Sequence, residues 1–280
     1  MQILSTIADT RLAIKELTGP LGLVPTMGAL HEGHLSLVRA ARRECASVAV
    51  SIFVNPTQFA PGEDFDRYPR TFEADCRLLE REGVDIVFAP SAEEMYPAGN
   101  AGTFIEVPGI GDRLDGVSRP GHFRAVATVV AKLFNIIQPQ AAYFGQKDAA
   151  QIAVLRAMVR DLNLPVDIRV CPTIRDADGL ALSSRNRYLS AAERAAALSI
   201  HRALRHAQSL VEASADSRII GPVMMDILKS TPGLRLDYLE IVDPYTLLPN
   251  PSARPPVLIA VAAWAGSTRL IDNTVTGANS

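Results

Sequence analysis

Residues 23 to 40 read Leu-Val-Pro-Thr-Met-Gly-Ala-Leu-His-Glu-Gly-His-Leu-Ser-Leu-Val-Arg-Ala, and this stretch decides the fold. A short apolar run, 21 to 24, is broken at Pro25, and apolar residues then recur at helical spacing from Leu35 onward. The pattern predicts a strand, a turn containing glycine and a helix. His31 lies three residues before His34, so both would lie on one side of the first helical turn, where free N–H groups and the helix dipole favour an anion.

The two histidines allow other interpretations. They could cap the helix or pack locally without binding anything. Zinc is a further alternative, but the spacing differs from the His-x-x-x-His of helical metalloproteases and no cysteine lies nearby. Written as His31-Glu32-Gly33-His34, the stretch resembles the H-x-G-H signature of the nucleotidyltransferase superfamily. That resemblance implies an ATP triphosphate over the helix N-terminus, adenine stacked on backbone at Gly33, and histidines donating to phosphate oxygens.

Composition excludes several classes of protein. The chain has 280 residues, 48% of them apolar and 21% charged, as expected of a globular protein with one large domain or two ordinary ones. A net charge of −2 predicts no bulk attraction to nucleic acid or anionic membrane, so any anion site must be local. No signal peptide is recognisable, and no run approaches the ~18 apolar residues of a membrane span. Because Cys45, Cys76 and Cys171 have no paired spacing, we expect reduced thiols and a cytoplasmic protein.

The strand and helix alternation continues along residues 1 to 175. This pattern predicts an α/β fold, a Rossmann-like parallel sheet with helices on both faces. Strands are predicted at 48 to 54, 84 to 90, 141 to 144 and 166 to 171, and helices at 5 to 18, 32 to 45, 71 to 83, 125 to 138 and 149 to 162.

The pattern changes at about residue 176. Helices are predicted at 191 to 213 and 216 to 230, with Ser190 and Glu193 forming a capping box for the first. Strands with antiparallel character follow at 234 to 242, 257 to 264 and 268 to 271. We therefore predict a smaller C-terminal α+β domain at 176 to 280.

Polar residues follow two of the buried strands. Asn55 and Gln58 come after the strand at 48 to 54, at the end where open α/β sheets bind ligands, although Gln58 could also cap a loop. After the strand at 141 to 144 come Gly145, Gln146, Lys147 and Asp148, which suit a phosphate contact, with Asp148 placed for ribose or the magnesium shell. An ordinary turn is the alternative.

Two basic stretches stand apart from the strands. Arg119, His122 and Arg124 precede the predicted helix at 125 to 138 and could meet an anion at its N-terminus or lie in a solvated loop. The second stretch, 182 to 187, contains two serines and two arginines, and it could close over a triphosphate or merely cap the next helix.

Four stretches in this order closely resemble the pantothenate synthetase family, also called pantoate–β-alanine ligases. The likeness extends over nearly the whole chain, and the combination is highly specific. The stretches are Pro25-Thr-Met-Gly with His31-x-Gly-His34, Phe53-Val-Asn-Pro-Thr-Gln-Phe59, Phe144-Gly-Gln-Lys-Asp148 with Gln151, and Leu182-Ser-Ser-Arg-Asn186.

The resemblance implies a two-step, ATP-dependent ligation in the cytoplasm by a homodimer, with magnesium. The carboxylate of pantoate attacks the α-phosphorus of ATP, which gives pantoyl adenylate and pyrophosphate. The amine of β-alanine then attacks the acyl carbon, which releases pantothenate and AMP. The magnesium ligands are not assigned by the resemblance.

The resemblance also implies a role for each matching position. Catalysis would involve His34 as proton donor, His31 as a phosphate contact, and Lys147 and Arg185 as cations that neutralise developing charge. Gln58 would hold pantoate and β-alanine, and Gln151 would hold pantoate. The valines of the helix at 125 to 138 are chiefly core, but they could also wall an apolar substrate pocket. The ATP-binding positions are Met27, Gly28, Ala29, Leu30, His31, Glu32, Gly33, His34, Gly145, Gln146, Lys147, Asp148, Ile174, Leu182, Ser183, Ser184 and Arg185, and the substrate-binding positions are Gln58, Gln151, Val129 and Val130.

Two rival functions remain open from the residues. A nucleotidyltransferase that uses a phosphorylated acceptor would need basic residues where Gln58 and Gln151 stand. A non-catalytic nucleotide-binding module would not need both His34 and Lys147. The chain departs from the family at Ala125, Ala149, Ala150 and Leu182, which affects the fit of the pocket and loop but removes no proposed contact side chain.

Overall fold

The computed structural model describes residues 1–99 and 102–277. They form two compact units. The first unit comprises Met1–Asp112, Gly116–Gly145 and Val154–Cys171, and the second comprises Arg113–Asp115, Gln146–Ala153 and the chain from Pro172 onward. The boundary expected between residues 175 and 176 lies close to Pro172 but assigns 146 to 153 to the first domain, and it remains a prediction.

The first unit is built on a parallel sheet of six strands, in the order β1-β4-β3-β2-β5-β6. The strands are β1 Gln2–Leu4, β2 Leu21–Thr26, β3 Ser47–Ile52, β4 Ile86–Phe88, β5 Ala141–Gly145 and β6 Asp167–Cys171. After β2 the chain adds β3 and β4 on one side, and β5 and β6 then follow on the other. The strand order therefore reverses between β2 and β5, which is where open α/β sheets form a ligand crevice.

Helices cover both faces of this sheet. On one face Val24, Val48 and Val50 are fully buried and pack with apolar residues of α2 and α3. On the other face Leu23 and Ala49 are equally buried, and α6 packs against β2 and α1. The predicted fold class is confirmed. The helices up to residue 161 are α1 Ile7–Lys15, α2 Glu32–Glu44, α3 Phe72–Arg81, α4 Ala92–Met95, α5 Asp115–Ser118, α6 His122–Ile137 and α7 Ala149–Asp161.

The observed helix α6 begins earlier than the sequence pattern predicts. Its N-cap is Gly121, which has φ +80°, and the first helical residue is His122 rather than 125. His122 and Arg124 are therefore part of the helix, and only Arg119 precedes it. The expectation of a basic loop before the helix is corrected for those two residues. The buried face of the helix already includes Phe123, but the basic residues on either side of it obscure that signal in the sequence.

The second unit contains an antiparallel sheet of three strands covered by two helices. Helices α8 (Ala191–Glu212) and α9 (Ser217–Lys229) pack on each other and on β7 (Leu234–Val242), β8 (Val257–Ala265) and β9 (Thr268–Thr276). The capping box of α8 is present as predicted. The α+β class of this region is confirmed. The core residues here include Ile200, Leu204, Ile220, Met224, Ile259 and Val261. Within the described residues, each helix is too short or too polar to cross a membrane.

Candidate active site

The turn after β2 has an unusual backbone that one buried carboxylate fixes. Gly28 and Ala29 both have positive φ, +78° and +51°. Asp75 of α3 is 2% exposed and accepts hydrogen bonds from the N–H groups of Ala29 and Leu30, both at 2.9 Å. The Thr71 hydroxyl donates to the same carboxylate at 3.1 Å. The predicted ATP segment from Met27 to Leu30 is thus a preformed loop, and Asp75 determines its shape.

His31 and His34 form a reciprocal cap at the start of α2. The Nδ1 of His31 accepts from the N–H of Gly33 at 3.2 Å, and the Nδ1 of His34 accepts from the N–H of His31 at 3.3 Å. Since each Nδ1 is an acceptor, each neutral ring carries its proton on Nε2. The ring centroids lie 4.1 Å apart. Glu32 of the same motif forms an ion pair with Arg39 on the helix surface.

The first unit also brings Gln58 to the same edge of the sheet. Strands β2 and β3 pair in register up to Thr26 and Ile52, so the turns that follow them leave the sheet side by side. The Gln58 amide N–H donates to the sulfur of Met27 at 2.9 Å, and its oxygen accepts from Asn55 at 3.3 Å. Gln58 does not cap the turn, because that role belongs to Asn55.

Asn55 is the buried centre of a small polar network. It is 1% exposed, and its oxygen accepts from the hydroxyls of Thr57 at 2.9 Å and Tyr96 at 3.1 Å. Burial raises the pKa of Tyr96 although both polar neighbours lower it, so the phenol remains a donor at neutral pH. The network orients the Asn55 amide that contacts Gln58.

Arg119 and His122 contact the main chain of the same turn. The carbonyl oxygen of Gln58 accepts from Nδ1–H of His122 at 3.0 Å and from Nη2–H of Arg119 at 3.2 Å. Arg119 also forms two hydrogen bonds of 2.7 Å to Glu63. Burial raises the pKa of Glu63, but the Arg119 guanidinium outweighs it and the pKa lies below its ordinary value.

A cleft of about 520 Å³ opens beside this turn within the first unit. Its lining includes Gln58, Tyr96, Arg119, His122 and Thr128. The size suits a small organic ligand, and the lining offers both donors and acceptors.

Val129 and Val130 lie on α6 and are 6% and 4% exposed. They belong to the packed interior of the first unit, and their contact with substrate stays a prediction.

In the second unit Asn273 of β9 fixes the turn that follows β5. This asparagine is 5% exposed, and its amide donates to the carbonyls of Gln146 at 2.9 Å and Lys147 at 2.8 Å. The Gln146 side chain donates back to Asn273 at 3.1 Å. The Lys147 ammonium lies 3.6 Å from the carboxylate of Asp148. The predicted phosphate segment is therefore a short 3₁₀ helix, Gln146–Asp148, which leads into α7 and Gln151.

The predicted phosphate loop in the second unit is joined to Ile174. The N–H of Leu182 donates to the carbonyl of Ile174 at 2.9 Å. Ser183 caps the short 3₁₀ helix Ser184–Tyr188 by accepting from the N–H of Arg185 at 3.3 Å. Ser183 thus caps this short 3₁₀ helix, whereas the predicted cap of the next long helix, α8, is Ser190.

A buried ion pair connects this loop to β9. Arg175, next to Ile174, donates to both carboxylate oxygens of Asp272, at 2.6 and 2.9 Å. Since Asp272 and Asn273 are adjacent on β9, one strand orders both segments of the second unit that are predicted to bind nucleotide.

The predicted site residues are thus distributed over both units. Met27 to His34, Gln58, Val129, Val130 and Gly145 lie in the first, while Gln146 to Asp148, Gln151, Ile174 and Leu182 to Arg185 lie in the second. Three residues that shape these segments were missed at the level of sequence: Asp75, Asp272 and Asn273. Among the described residues, no group of three or more His, Cys, Asp or Glu side chains is arranged to bind a metal ion.

Comparison with known proteins gives consistent matches along the chain. A family model described as pantoate-beta-alanine ligase matches residues 2–275. The pantothenate synthetase of Acidobacterium capsulatum is 56% identical over 99% of this chain and 97% of its own length, and that of Moorella thermoacetica is 53% identical over 100% of both. A crystal structure of the Thermus thermophilus enzyme has a TM-score of 0.94 at 48% identity, covering 98% of this chain and 99% of that one. The Francisella tularensis ligase, complexed with Beta-gamma ATP and Beta-alanine, has a TM-score of 0.83 at 36% identity and covers 100% and 99%.

Proposed function

Because the chain belongs to the pantoate–β-alanine ligase family, it is an enzyme that condenses pantoate with β-alanine using ATP, and we propose that it does so through pantoyl adenylate at the residues described above. The observation that carries the residue assignment is the histidine cap of α2. It places two Nε2–H donors at a helix N-terminus, beside the strand at which the sheet order reverses.

The first step joins pantoate to the nucleotide. A carboxylate oxygen of pantoate attacks the α-phosphorus, the bond from that phosphorus to the bridging oxygen breaks, and pyrophosphate leaves with the electron pair. A carboxylate is a poor nucleophile, so alignment and charge neutralisation must provide most of the rate enhancement. In the second step the amine of β-alanine attacks the acyl carbon, AMP leaves, and the nitrogen loses a proton.

His31 and His34 act as hydrogen-bond donors to the phosphates in this proposal. Their Nδ1 atoms are occupied by backbone N–H groups, so the proton of each neutral ring is on Nε2. The proton that His34 offers to the leaving pyrophosphate is therefore the one on Nε2. Met27 to Leu30, with Glu32 and Gly33, would form the surrounding nucleotide loop.

Lys147 and Arg185 would supply positive charge to the phosphates. Asn273 orders the main chain at Lys147, and the Ser183 cap orders it at Arg185. Gly145, Gln146, Asp148 and Ile174, with the loop from Leu182 to Ser184, would contribute the remaining nucleotide contacts. These are the groups that the phosphate-binding role requires.

Gln58 would bind pantoate and β-alanine, and Gln151 would bind pantoate. Pantoate has hydroxyl groups, a carboxylate and a gem-dimethyl group, so amides beside apolar side chains suit it. The contacts of Gln58 with Met27 and Asn55 support this role, since they hold its amide beside the turn that follows β2. Val129 and Val130 would supply the apolar wall.

Magnesium would enter with ATP. The Asp148 side chain is 46% exposed, so its carboxylate is accessible as an added ligand to a metal coordinated chiefly by the triphosphate. Mg²⁺ is usually held by one or two carboxylates plus substrate phosphates. When bound, Mg²⁺ would neutralise charge on the leaving pyrophosphate.

The assignment is tested by ATP–pyrophosphate exchange without β-alanine. We expect exchange that depends on pantoate, because the adenylate forms before the amine is needed. Lys147→Ala and His34→Ala should each lower the exchange rate by at least ~100-fold, through loss of charge stabilisation in the transition state. Lys229→Ala, an exposed lysine of α9, is the matched control and should change nothing. Exchange that requires another acid, or near-normal single-turnover rates in the two variants, would contradict the proposal.

Two further properties follow from the resemblance. The enzyme is proposed to be a cytoplasmic homodimer, and its three cysteines are free thiols, in accord with a reducing compartment. Sedimentation equilibrium should give a mass of twice the 30.1 kDa chain. A monomer at micromolar concentration would exclude the dimer, and recovery in a membrane or secreted fraction would exclude the compartment.

A further inference from the structure

Arg119 and His122 were candidates for anion binding, but the structure directs them to the main chain of Gln58. A guanidinium only donates hydrogen bonds. Since Nη1 of Arg119 lies 2.9 Å from Nε2 of His122, that nitrogen must be the acceptor. The ring proton is then on Nδ1, which donates to the Gln58 carbonyl at 3.0 Å. The geometry fixes the tautomer of His122.

The charge of Arg119 is already compensated within the first unit. Its Nε and Nη2 atoms donate to the two carboxylate oxygens of Glu63, and Nη2 also reaches the carbonyl of Gln58. The Arg119 and Glu63 side chains are only 17% and 24% exposed. Because the Arg119 guanidinium already donates to Glu63, His122 and Gln58, it orders these neighbours and is poorly placed to bind a ligand anion.

The turn containing Gln58 is consequently fixed from two directions. The His122 and Arg119 donors hold its main-chain carbonyl, while Met27 and Asn55 contact its side-chain amide. A side chain reaches one ligand position reproducibly only if the backbone that carries it is fixed.

We infer that Arg119 and His122 are positioning residues for pantoate binding: they anchor the main-chain carbonyl of Gln58 so that its side-chain amide meets the substrate. This inference rests on the proposed role of Gln58. It differs from a purely structural role because it predicts a specific loss of pantoate affinity. ATP binding, which is assigned to other segments, should be unchanged.

Two conservative variants of His122 separate the two ring nitrogens. In His122→Asn the amide nitrogen can replace Nδ1 and still donate to Gln58. In His122→Gln the longer amide approximates Nε2 and can meet Arg119, but it leaves the Nδ1 position empty. We expect His122→Gln to raise the KM for pantoate in the exchange assay about tenfold, as for loss of one hydrogen bond at about 1.4 kcal/mol, and His122→Asn to raise it less than about threefold.

Arg119→Lys provides a second, independent variant. It keeps a positive charge for Glu63, but its three N–H groups share one nitrogen and cannot reproduce the four hydrogen bonds that Arg119 makes to Glu63, His122 and Gln58. We expect a rise of about tenfold in the KM for pantoate and no change in the KM for ATP. Arg81→Gln is the matched control, since Arg81 is an exposed arginine in the last turn of α3 and does not line the cleft beside Gln58. It should behave as wild type.

Gln58→Ala, measured in parallel, shows whether a negative result contradicts the positioning role of Arg119 and His122 or the binding role of Gln58 itself. If Gln58→Ala raises the KM for pantoate while His122→Gln and Arg119→Lys do not, the positioning role is wrong and the role of Gln58 stands. If Gln58→Ala also leaves that KM unchanged, both are wrong. Thermal unfolding midpoints complete the test, because a lower midpoint with equal rises in both KM values would show a structural role only and overturn the inference.

Discussion

Asp75→Asn tests whether a residue outside the expected substrate contacts determines the shape of the nucleotide loop. In the native chain the carboxylate accepts three hydrogen bonds, from the N–H groups of Ala29 and Leu30 and from the Thr71 hydroxyl. All three partners are donors. An asparagine presents one oxygen and one NH₂ group, so in either orientation a donor faces a donor.

The expected cost follows from those contacts. At least one charge-assisted hydrogen bond is lost, at about 1.5 to 3 kcal/mol, and one backbone N–H in a site that is 2% exposed loses its partner, at about 1 to 3 kcal/mol. We expect the free energy of unfolding to fall by about 3 kcal/mol, which is less than the total of about 5 to 15 kcal/mol for a typical protein. The variant should therefore still fold. Ala29, with φ +51°, would also lose the contact that keeps it left-handed.

Urea unfolding and exchange kinetics together test whether Asp75 fixes the loop in the shape that binds ATP. If the loop from Gly28 to Leu30 binds ATP only in its native shape, Asp75→Asn should raise the KM for ATP about tenfold, equivalent to about 1.4 kcal/mol. Glu73→Gln is the control, since Glu73 is an exposed acid in the same helical turn and should change neither quantity. An Asp75→Asn protein with unchanged unfolding free energy and unchanged KM for ATP would refute the reasoning.

Two further predictions concern stability. Burial raises the pKa of Tyr143, so its phenol stays neutral in the folded protein when the unfolded chain ionises near pH 10. The stability that the neutral phenol contributes below pH 10 is then lost as pH rises. Between pH 9 and 11 the unfolding free energy should fall by about 1.4 kcal/mol more in wild type than in Tyr143→Phe, and equal falls in urea titrations would contradict this. Arg269→Ala leaves Asp115, 2.7 Å away and 7% exposed, without its cation, and should cost about 3 to 5 kcal/mol in urea unfolding at pH 7.5. Adding Asp115→Asn should recover part of that loss, and a further loss would exclude an uncompensated charge as its cause.

The fold was predictable from sequence where local pattern and burial agree. The run at 48 to 54 lacks polar alternation, and β3 is indeed a strand covered on both faces. The start of α6 was not predictable in the same way. Its first turn contains one buried apolar residue, Phe123, between polar His122 and Arg124, and this single residue is too weak a periodic signal. The true boundary is set by the left-handed backbone of Gly121.

The histidine motif shows that two competing interpretations can both describe one structure. Local capping and a ligand role were alternatives for His31 and His34 at the level of sequence. An imidazole has two nitrogens, and the cap uses only Nδ1 of each ring. Capping therefore fixes the tautomer that the ligand role needs.

The residues missed from sequence share one physical property. Asp75 is 46 positions from Ala29, and Asn273 is 127 from Gln146, so no local spacing connects either pair. A weaker signal was present nonetheless. On α3 the buried stripe includes Cys76 and Leu79, and Asp75 stands within it.

A carboxylate in a buried helical stripe must find donors or a cation, because leaving it unpaired would cost several kcal/mol. The donors most in need of a partner are backbone N–H groups of turns that cannot form their own ladder bonds. On β9, Asp272 and Asn273 are consecutive and both are buried. Buried positions of a strand usually carry apolar side chains, so this polar pair is the corresponding signal. In both units, then, the polar residue that interrupts a buried pattern is the one that fixes a loop proposed to bind substrate. Its substitution should alter substrate affinity although its own side chain is assigned no contact with the substrate.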